Sequence, residues 1–364
     1  MALPLPLELW QLILDYSRLK IQLRIKQSYK LFNQRLKIID FYHLKRKEKS
    51  KLCDNILKRY RDIKYLDASS NSKITDAGIE HLKLVKLNVF NNIGITDKGI
   101  KHMNLFKLNI GGLNQITDDG IKYMKLISLK LAHNTKITND GIKHLDLNSL
   151  DISGTNNITN DTIKYFNLKK LNISDNNNIT DQGIKHLNLK KKLVLCNNKY
   201  ISDQGISHMN LKVLSISGVS LITDQGICQM NLDSLSAIGY RIISDKGIRH
   251  MNLKHLYVTY NPNITDEGIK NMKLISLDAR GECGITNNGL IGLTKLKHLW
   301  IANNVKITDE GIKHLNLQTL DLSTIMNRIT DNGIKHMNLK NLILSDNHNI
   351  TDDGLVVKPP NIFH

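Results

Sequence analysis

The sequence predicts an α/β solenoid of about fourteen repeats of 21–22 residues, with parallel strands on the concave face and a small all-α domain in front. The first observation behind this is an Ile-Thr-Asp phrase, or a close variant, that returns at this fixed interval. Such a period is typical of a solenoid, in which each unit buries its apolar face only against its neighbours. The isoleucines of the phrase are Ile74, Ile95, Ile116, Ile137, Ile158, Ile179, Ile201, Ile222, Ile243, Ile264, Ile285, Ile307, Ile329 and Ile350.

The second observation is the alternation of apolar and polar residues before each phrase. In the repeat that contains Ile95, Leu87 and Val89 stand two residues apart, which indicates a short strand with one buried face. Strands at the same place in every repeat stack side by side, so each strand position becomes a column along the solenoid.

The third observation is a helix start at each phrase. Thr96 has the character of a helix N-cap, and Asp97 lies in the first turn, where the helix dipole favours an anion. Gly99 leaves out a side chain where the turn packs tightly. Ile100 and Met103 stand three residues apart and so point inward together. The strand and the tight turns leave enough residues in each repeat for about two turns of helix, which we expect on the convex side.

Over about residues 63–353 the unit reads L-x-x-L-x-L-x-x-N-x-x-I-T-D-x-G-I-x-x-L, which resembles the leucine-rich repeat family. The resemblance implies that the asparagine lies in the turn after the strand and bonds backbone groups of adjacent coils. Eight asparagines fit this position, namely Asn71, Asn92, Asn134, Asn176, Asn198, Asn261, Asn304 and Asn347. Four repeats carry another residue there, which predicts a locally weaker ladder at Thr155, Val219, Tyr240 and Glu282.

Before the repeats, Leu9, Ile13 and Tyr16 fall on one side of a helix that begins near Pro6. This run resembles the F-box motif L-P-x-E-I-L-x-x-I-L-x-Y-L, and the repeat phrase itself is similar to that of the F-box/leucine-rich-repeat proteins. The resemblance implies docking to a Skp1-like adaptor. The adaptor-binding residues that it implies are Leu5, Pro6, Glu8, Leu9, Ile13, Leu14 and Phe32, the last at the usual tryptophan position.

The sequence departs from the F-box pattern at Ser17, Ile21 and Ser28. Leu52, Ile56 and Tyr60 have the spacing of a helix that covers the first coil of the repeats. The predicted segments are an F-box-like helical domain (1–44), a basic helical linker or N-terminal cap (45–62), the solenoid (63–358) and a C-terminal tail (359–364). The alternative is that the first 62 residues together form an elaborate cap.

The net charge of +18 is unevenly distributed. Residues 1–62 carry 15 basic and 6 acidic residues, a net +9, while the other 302 carry 36 and 27, also +9. A basic chain is compatible with nucleic acid or an anionic membrane. However, no aromatic-plus-basic stacking motif accompanies the basic run at 45–51, so we interpret the charge as solubilising. We expect neither a membrane nor nucleic acid as the partner.

The four cysteines include no Cys-x-x-Cys pair, which favours a reducing compartment, cytoplasmic or nuclear, over a disulfide framework or zinc. Glu8 and Asp15 interrupt the apolar run at the N-terminus, which argues against a signal peptide or a membrane span. A convex column of histidines is flanked by lysines rather than carboxylates, so we interpret it as a duplicated surface feature. We expect no enzymatic activity, no cofactor and no metal, because no nucleophile, acid–base pair or phosphate loop rises above the repeat pattern.

The residue between the two inward positions of each strand faces the concave groove, and it is small or polar until three coils near the C-terminal end. There it is Tyr257, Asp278 and Trp300. Tyr, Trp and Arg are enriched at binding hot spots, and exposed aromatic clusters mark partner sites. The predicted substrate-binding residues are His255, Tyr257, Tyr260, Asp278, Arg280, His298 and Trp300. The other interpretation is drift in a surface column.

The combined resemblance implies a substrate-recognition subunit of an SCF-type (cullin-RING) ubiquitin ligase. The adaptor would link the chain to a cullin, and the repeats would bind an unknown protein substrate. Outside that complex we expect a monomer. Two other hypotheses stay open: a leucine-rich-repeat scaffold that acts without a ligase, and a basic protein that binds nucleic acid.

Overall fold

The computed structural model describes residues 40–239, 242–355 and 359–363, and it consists of two compact units, 1–168 and 169–364. Each unit repeats a three-residue strand, a tight turn and a short helix. This confirms the predicted α/β leucine-rich-repeat solenoid with parallel strands. The predicted adaptor-binding residues, from Leu5 to Phe32, lie outside the described residues, and so does most of the predicted F-box-like segment.

The first unit contains a parallel sheet of strands in chain order. Its strands are β1 (Asp40–Phe41), β2 (Tyr65–Asp67), β3 (Lys86–Asn88), β4 (Lys107–Asn109), β5 (Ser128–Lys130) and β6 (Ser149–Asp151). Its helices are Arg46–Lys49, Asp54–Leu57, Asp76–Ile79, Asp97–Ile100, Asp118–Ile121, Asn139–Ile142 and Asn160–Ile163.

The second unit has the same design. Its strands are β7 (Lys170–Asn172), β8 (Lys192–Val194), β9 (Val213–Ser215), β10 (Ser234–Ser236), β11 (His255–Tyr257), β12 (Ser276–Asp278), β13 (His298–Trp300), β14 (Thr319–Asp321), β15 (Asn341–Ile343) and β16 (Asn361–Phe363). Its helices are Asp181–Ile184, Asp203–Ile206, Asp224–Ile227, Asp245–Ile248, Asp266–Ile269, Asn287–Leu290, Asp309–Ile312 and Asp331–Ile334, followed by the 3-10 helix Asp352–Gly354.

The helices are shorter than predicted, at four residues each rather than two turns. The core explains the difference. Ile100, Met103 and Leu105 are all buried, but a residue five positions beyond Ile100 would lie on the far side of a continued helix. The chain therefore leaves the helix after Ile100 and enters a turn that places Met103 and Leu105 inward.

The aspartate of the repeat phrase connects neighbouring coils, a role that the sequence analysis missed. The Asp97 carboxylate accepts hydrogen bonds from the Thr117 backbone N (2.8 Å) and Oγ1 (2.6 Å) in the next coil. The predicted N-cap is confirmed at Thr96, whose Oγ1 accepts from the Lys98 N (3.2 Å). The glycine prediction also holds, because a Cβ on Gly99 would lie 2.2 Å from the Asp76 carboxylate.

The predicted asparagine ladder is present. Asn92 is fully buried and donates to the backbone O of Ala68 (3.0 Å) and Asn71 (2.8 Å) in the preceding coil. Its Oδ1 accepts from the N of Gly94 (2.9 Å) and Ile95 (3.1 Å). The ladder therefore satisfies backbone groups that would otherwise be buried without partners.

The predicted gap at Thr155 is wrong. Gly154, three residues after the end of β6, has a left-handed backbone (φ 68°). The ladder residue of this coil comes one position later in the turn than in the coils with Asn at the predicted position. Asn156 is buried and donates to the Ile152 O (2.6 Å), and its Oδ1 accepts from the Ile158 N (3.0 Å).

The same shift moves the ladder position from Val219 to Ser220 and from Glu282 to Cys283. Ser220 Oγ accepts from the Ile222 N at 3.3 Å, and Cys283 Sγ lies 3.2 Å from Asn304 Nδ2. A hydroxyl and a thiol offer fewer hydrogen bonds than an amide, so the ladder is weaker at these two coils, as predicted. Tyr240 lies outside the described residues.

Both ends of the repeats differ from the predicted boundaries. Strand β1 falls within the segment 1–44 assigned to the all-α domain, yet Phe41 is buried and pairs with Leu66 in the sheet. In the cap, Leu57 rather than Ile56 is fully buried, because a turn at residues 50–53 divides the predicted helix. Strand β16, in the predicted tail, pairs parallel with β15.

Candidate binding surface on the strands

Each of the three-residue strands β2 to β15 places its middle residue in the core and its first and third residues on the open face of the sheet. Leu256, Leu277 and Leu299 are fully buried, while the third residues form the column Tyr257, Asp278, Trp300 and Asp321 through the parallel register. The predicted column of site residues in the second unit is therefore confirmed as a row of neighbours.

Tyr257 and Trp300 approach one another across strand β12, which lies between them. Their ring centroids are 6.4 Å apart with an interplanar angle of 38°, although strands two apart are separated by about 9.6 Å. His298 stacks on Trp300 from within the same strand, at 6.2 Å and 23°. Trp300 is half-buried and lies on the open face. We call Tyr257, His298 and Trp300, with the Asp278–Arg280 pair beside them, the aromatic cluster.

Asp278 differs from the expectation of an exposed groove residue, since it is only 3% exposed. Its carboxylate accepts hydrogen bonds from Thr259 Oγ1 (2.6 Å) and from Arg280 Nε (3.0 Å) and Nη2 (2.7 Å). This hydrogen-bonded carboxylate raises the pKa of Arg280 above its ordinary value. Asp278 therefore holds Arg280 in place and does not itself face a partner.

His298 of the cluster is the first residue of β13, and His255 is the first residue of β11. His255 Nδ1 lies 3.1 Å from Ser276 Oγ. Burial lowers the pKa of His298 below its ordinary value, and the positive charges of His255 and Lys340 lower it further. The lowered pKa favours the neutral form of the His298 ring that stacks on Trp300.

Tyr260 lies in the turn after β11 rather than on the strand. It has a left-handed backbone (φ 56°), is 52% exposed, and its ring covers Gly281, where a Cβ would come within 2.3 Å. Among the described residues no ring contact joins Tyr260 to Trp300, so Tyr260 lies beside the aromatic cluster and is not part of it.

The first unit carries a second set of side chains that the sequence analysis did not single out. Lys86, Lys107 and Lys130 line a pocket of about 210 Å³ together with Tyr42, Asn109 and Ser128. Lys130 appears in the predicted column, but Lys86 and Lys107 belong to the neighbouring column and Tyr42 precedes the repeats. We call Lys86, Lys107 and Lys130 the lysine cluster.

Sequence and structure comparisons agree with the fold. The leucine-rich repeat family matches residues 166–187, 249–278, 292–315 and 335–357, so leucine-rich repeats are present. No curated protein shows significant sequence similarity to the chain. Within the described residues, none of the helices combines the length and apolar character needed to span a membrane.

Several solved structures resemble the chain. One is a chain of the yeast Rad7–Elc1 complex, with 16% identity and a TM-score of 0.55, covering 99% of this chain and 98% of that one. Another comes from the TLR13–ssRNA13 complex, with 18% identity and a TM-score of 0.51, covering 83% and 52%. At these identities the likeness shows the fold alone.

Proposed function

We propose that this chain is the substrate-recognition subunit of an SCF-type ubiquitin ligase. Residues 1–44 dock a Skp1-like adaptor and through it a cullin, and the repeats bind a protein substrate. The observation that carries the proposal is the F-box-like run from Leu5 to Phe32, followed by repeats of the F-box/leucine-rich-repeat type. The chain itself catalyses no reaction in this proposal and acts in the cytoplasm or nucleus.

The aromatic cluster supports the substrate half of the proposal. Trp300 and Tyr257 offer apolar ring surface beside the Arg280 guanidinium, which Asp278 holds at 2.7 Å. Aromatic and arginine anchors of this kind dominate protein–protein binding energies. The yeast structure that matches the chain end to end is itself a complex of two proteins, which agrees with a protein-interaction role. A scaffold without a ligase is the second candidate, since the described repeats support it equally.

Co-expression with a Skp1-like adaptor separates the two candidates. We expect the full chain to co-purify with the adaptor, and the double variant Leu9→Ala, Ile13→Ala to lose it, because the sequence spacing predicts both side chains on one helical stripe. The variant leaves Leu52 and the repeats unchanged. Its circular dichroism spectrum should therefore match that of the wild type, which is the control for folding. A wild-type chain that retains no adaptor would leave the scaffold function in place of the ligase.

A further inference from the structure

The lysine cluster concentrates positive charge that the rest of the described structure leaves unneutralised. Lys86 and Lys107 are register partners on neighbouring strands, and Lys130 lies one strand further on. Burial lowers the pKa of Lys86, and the charges of Lys107 and Lys130 lower it further, against the opposing effect of Asp40 and Asp67. Lys86 is therefore close enough to Lys107 and to Lys130 for their charges to oppose its own.

The two nearby carboxylates are already engaged. Asp67 Oδ2 pairs with Lys49 Nζ at 3.1 Å, and Asp40 Oδ1 accepts from the Tyr42 N at 2.7 Å. Within residues 40–239, 242–355 and 359–363, no ion pair reaches Lys86, Lys107 or Lys130. A partner that brings negative charge would relieve their mutual repulsion.

The remaining lining of the pocket is rich in donors. Asn109 Oδ1 accepts from the Gly111 N at 3.1 Å, which leaves the amide NH₂ of Asn109 for a ligand. Ser128 and Tyr42 add hydroxyl groups to the same pocket. Carboxylate oxygens accept hydrogen bonds from all of these groups.

The layout of the charges selects among anionic partners. Neighbouring strands lie about 4.8 Å apart, and alternate residues of an extended peptide are about 6.6 Å apart. Lys86 and Lys107 lie in one column, and Lys130 lies in the neighbouring column one strand further on. Ammonium groups spread over three strands match several carboxylates in sequence better than they match one compact ion. Nucleic acid also needs aromatic faces for base stacking, but Lys86 Nζ already covers the Tyr42 ring, 3.3 Å from its centroid.

We propose that the lysine cluster binds an acidic segment of a protein partner, with Lys86, Lys107 and Lys130 pairing with successive Asp or Glu carboxylates and with Asn109 and Ser128 donating to them. The inference deepens the proposed function, since it names a chemical class of substrate segment. It concerns a site distinct from the aromatic cluster, and it does not depend on adaptor binding.

The test uses the full chain and a fluorescent peptide of alternating Glu and Ser, with binding followed by anisotropy near physiological salt. We expect the peptide to bind, and a counterpart with Gln in place of Glu to bind at least about tenfold more weakly. The triple variant Lys86→Gln, Lys107→Gln, Lys130→Gln should also bind the acidic peptide about tenfold more weakly. Circular dichroism checks that the variant stays folded.

The matched control is the pair Lys170→Gln, Lys192→Gln. These two lysines are register partners in the same strand column of the second unit, but Asn172 and Val194 follow them there. We expect this pair to change binding by no more than about twofold. The proposal fails if the triple variant binds like the wild type, if the control pair loses as much, or if a single-stranded oligonucleotide displaces the peptide at equal concentration. Because no adaptor is present in the assay, its result is independent of the ligase proposal.

Discussion

The lysine cluster and the aromatic cluster occupy the same two columns of strand residues, but they differ in how charge is balanced. In the aromatic cluster the Arg280 guanidinium is paired internally with the buried Asp278 carboxylate. In the lysine cluster, Lys86 faces Lys107 and Lys130 and has no carboxylate partner among the described residues. The first site therefore offers ring surface with a fixed cation, while the second offers charge that awaits a partner.

The difference teaches which parts of the repeat are free to vary. The buried leucines, the aspartate–threonine bond between coils and the ladder asparagine recur with little change, because each holds one coil to the next. The side chains of the two strand columns on the open face are not needed to hold one coil to the next. Neighbouring coils can therefore develop unrelated binding chemistry on one backbone design.

The largest expected effect is a difference in the free energy of unfolding between variants of the two clusters. Asp278→Ala removes a buried carboxylate that accepts one hydrogen bond from Thr259 and three from Arg280. The half-buried guanidinium then keeps only the longer ion pair with Asp321, at 3.9 Å. We expect the free energy of unfolding to fall by about 2–3 kcal/mol. Asn109→Ala, at the same strand position in the first unit, removes one bond to the Gly111 N and should cost about 1 kcal/mol. Urea denaturation measures both, and equal losses would show that Asp278 has no special structural role.

Sequence reasoning predicted the columns because a fixed period carries the register of the strands. The burial of Asp278 could not be predicted in this way. Its carboxylate is held by Thr259 of the preceding coil and by Arg280, and a repeat pattern shows neither contact. The pocket of the lysine cluster was missed for a related reason, since it combines two columns with Tyr42 from a segment before the repeats.

The turns illustrate a second limit. The ladder position moves from Thr155 to Asn156 where Gly154 has a left-handed backbone. That glycine is present in the sequence and could have indicated the different turn. The aspartate of the phrase was assigned to the helix dipole, because a single repeat shows Asp97 beside its own helix. Its bonds to Thr117 exist only once two coils are stacked. The ladder between coils was predicted through the family resemblance, whereas the bond from Asp97 to Thr117 was not, because a single repeat does not show it.

The second prediction concerns binding at the aromatic cluster. Trp300→Ala should weaken the binding of a captured protein partner by about 2 kcal/mol, as truncation of a hot-spot aromatic residue does. It should lower the free energy of unfolding by only about 1 kcal/mol, because contacts with Tyr257 and His298 are lost. Isothermal titration calorimetry measures the first effect and urea denaturation the second.

Asn172→Ala is the matched control, at the third position of β7 in the same unit. It should leave partner binding unchanged. A partner that binds the Trp300 variant as tightly as the wild type, while the variant itself is strongly destabilised, would place the binding site elsewhere on the repeats.

The smallest expected effect is a pH dependence confined to the aromatic cluster. The pKa of His298 lies below its ordinary value of 6.5, through burial and then the charges of His255 and Lys340. Below that pH the unfolded chain therefore takes up a proton that the folded chain still resists. The free energy of unfolding should fall as the pH drops from 6.5 to the folded pKa of His298, and this contribution becomes constant below it. His298→Gln should reduce the loss measured by urea denaturation between about pH 7 and pH 5, whereas His144→Gln, at an exposed histidine outside the strands, should not. If NMR titration places the His298 pKa at or above 6.5, the stacked ring is not the uncharged surface that distinguishes this cluster from the lysines.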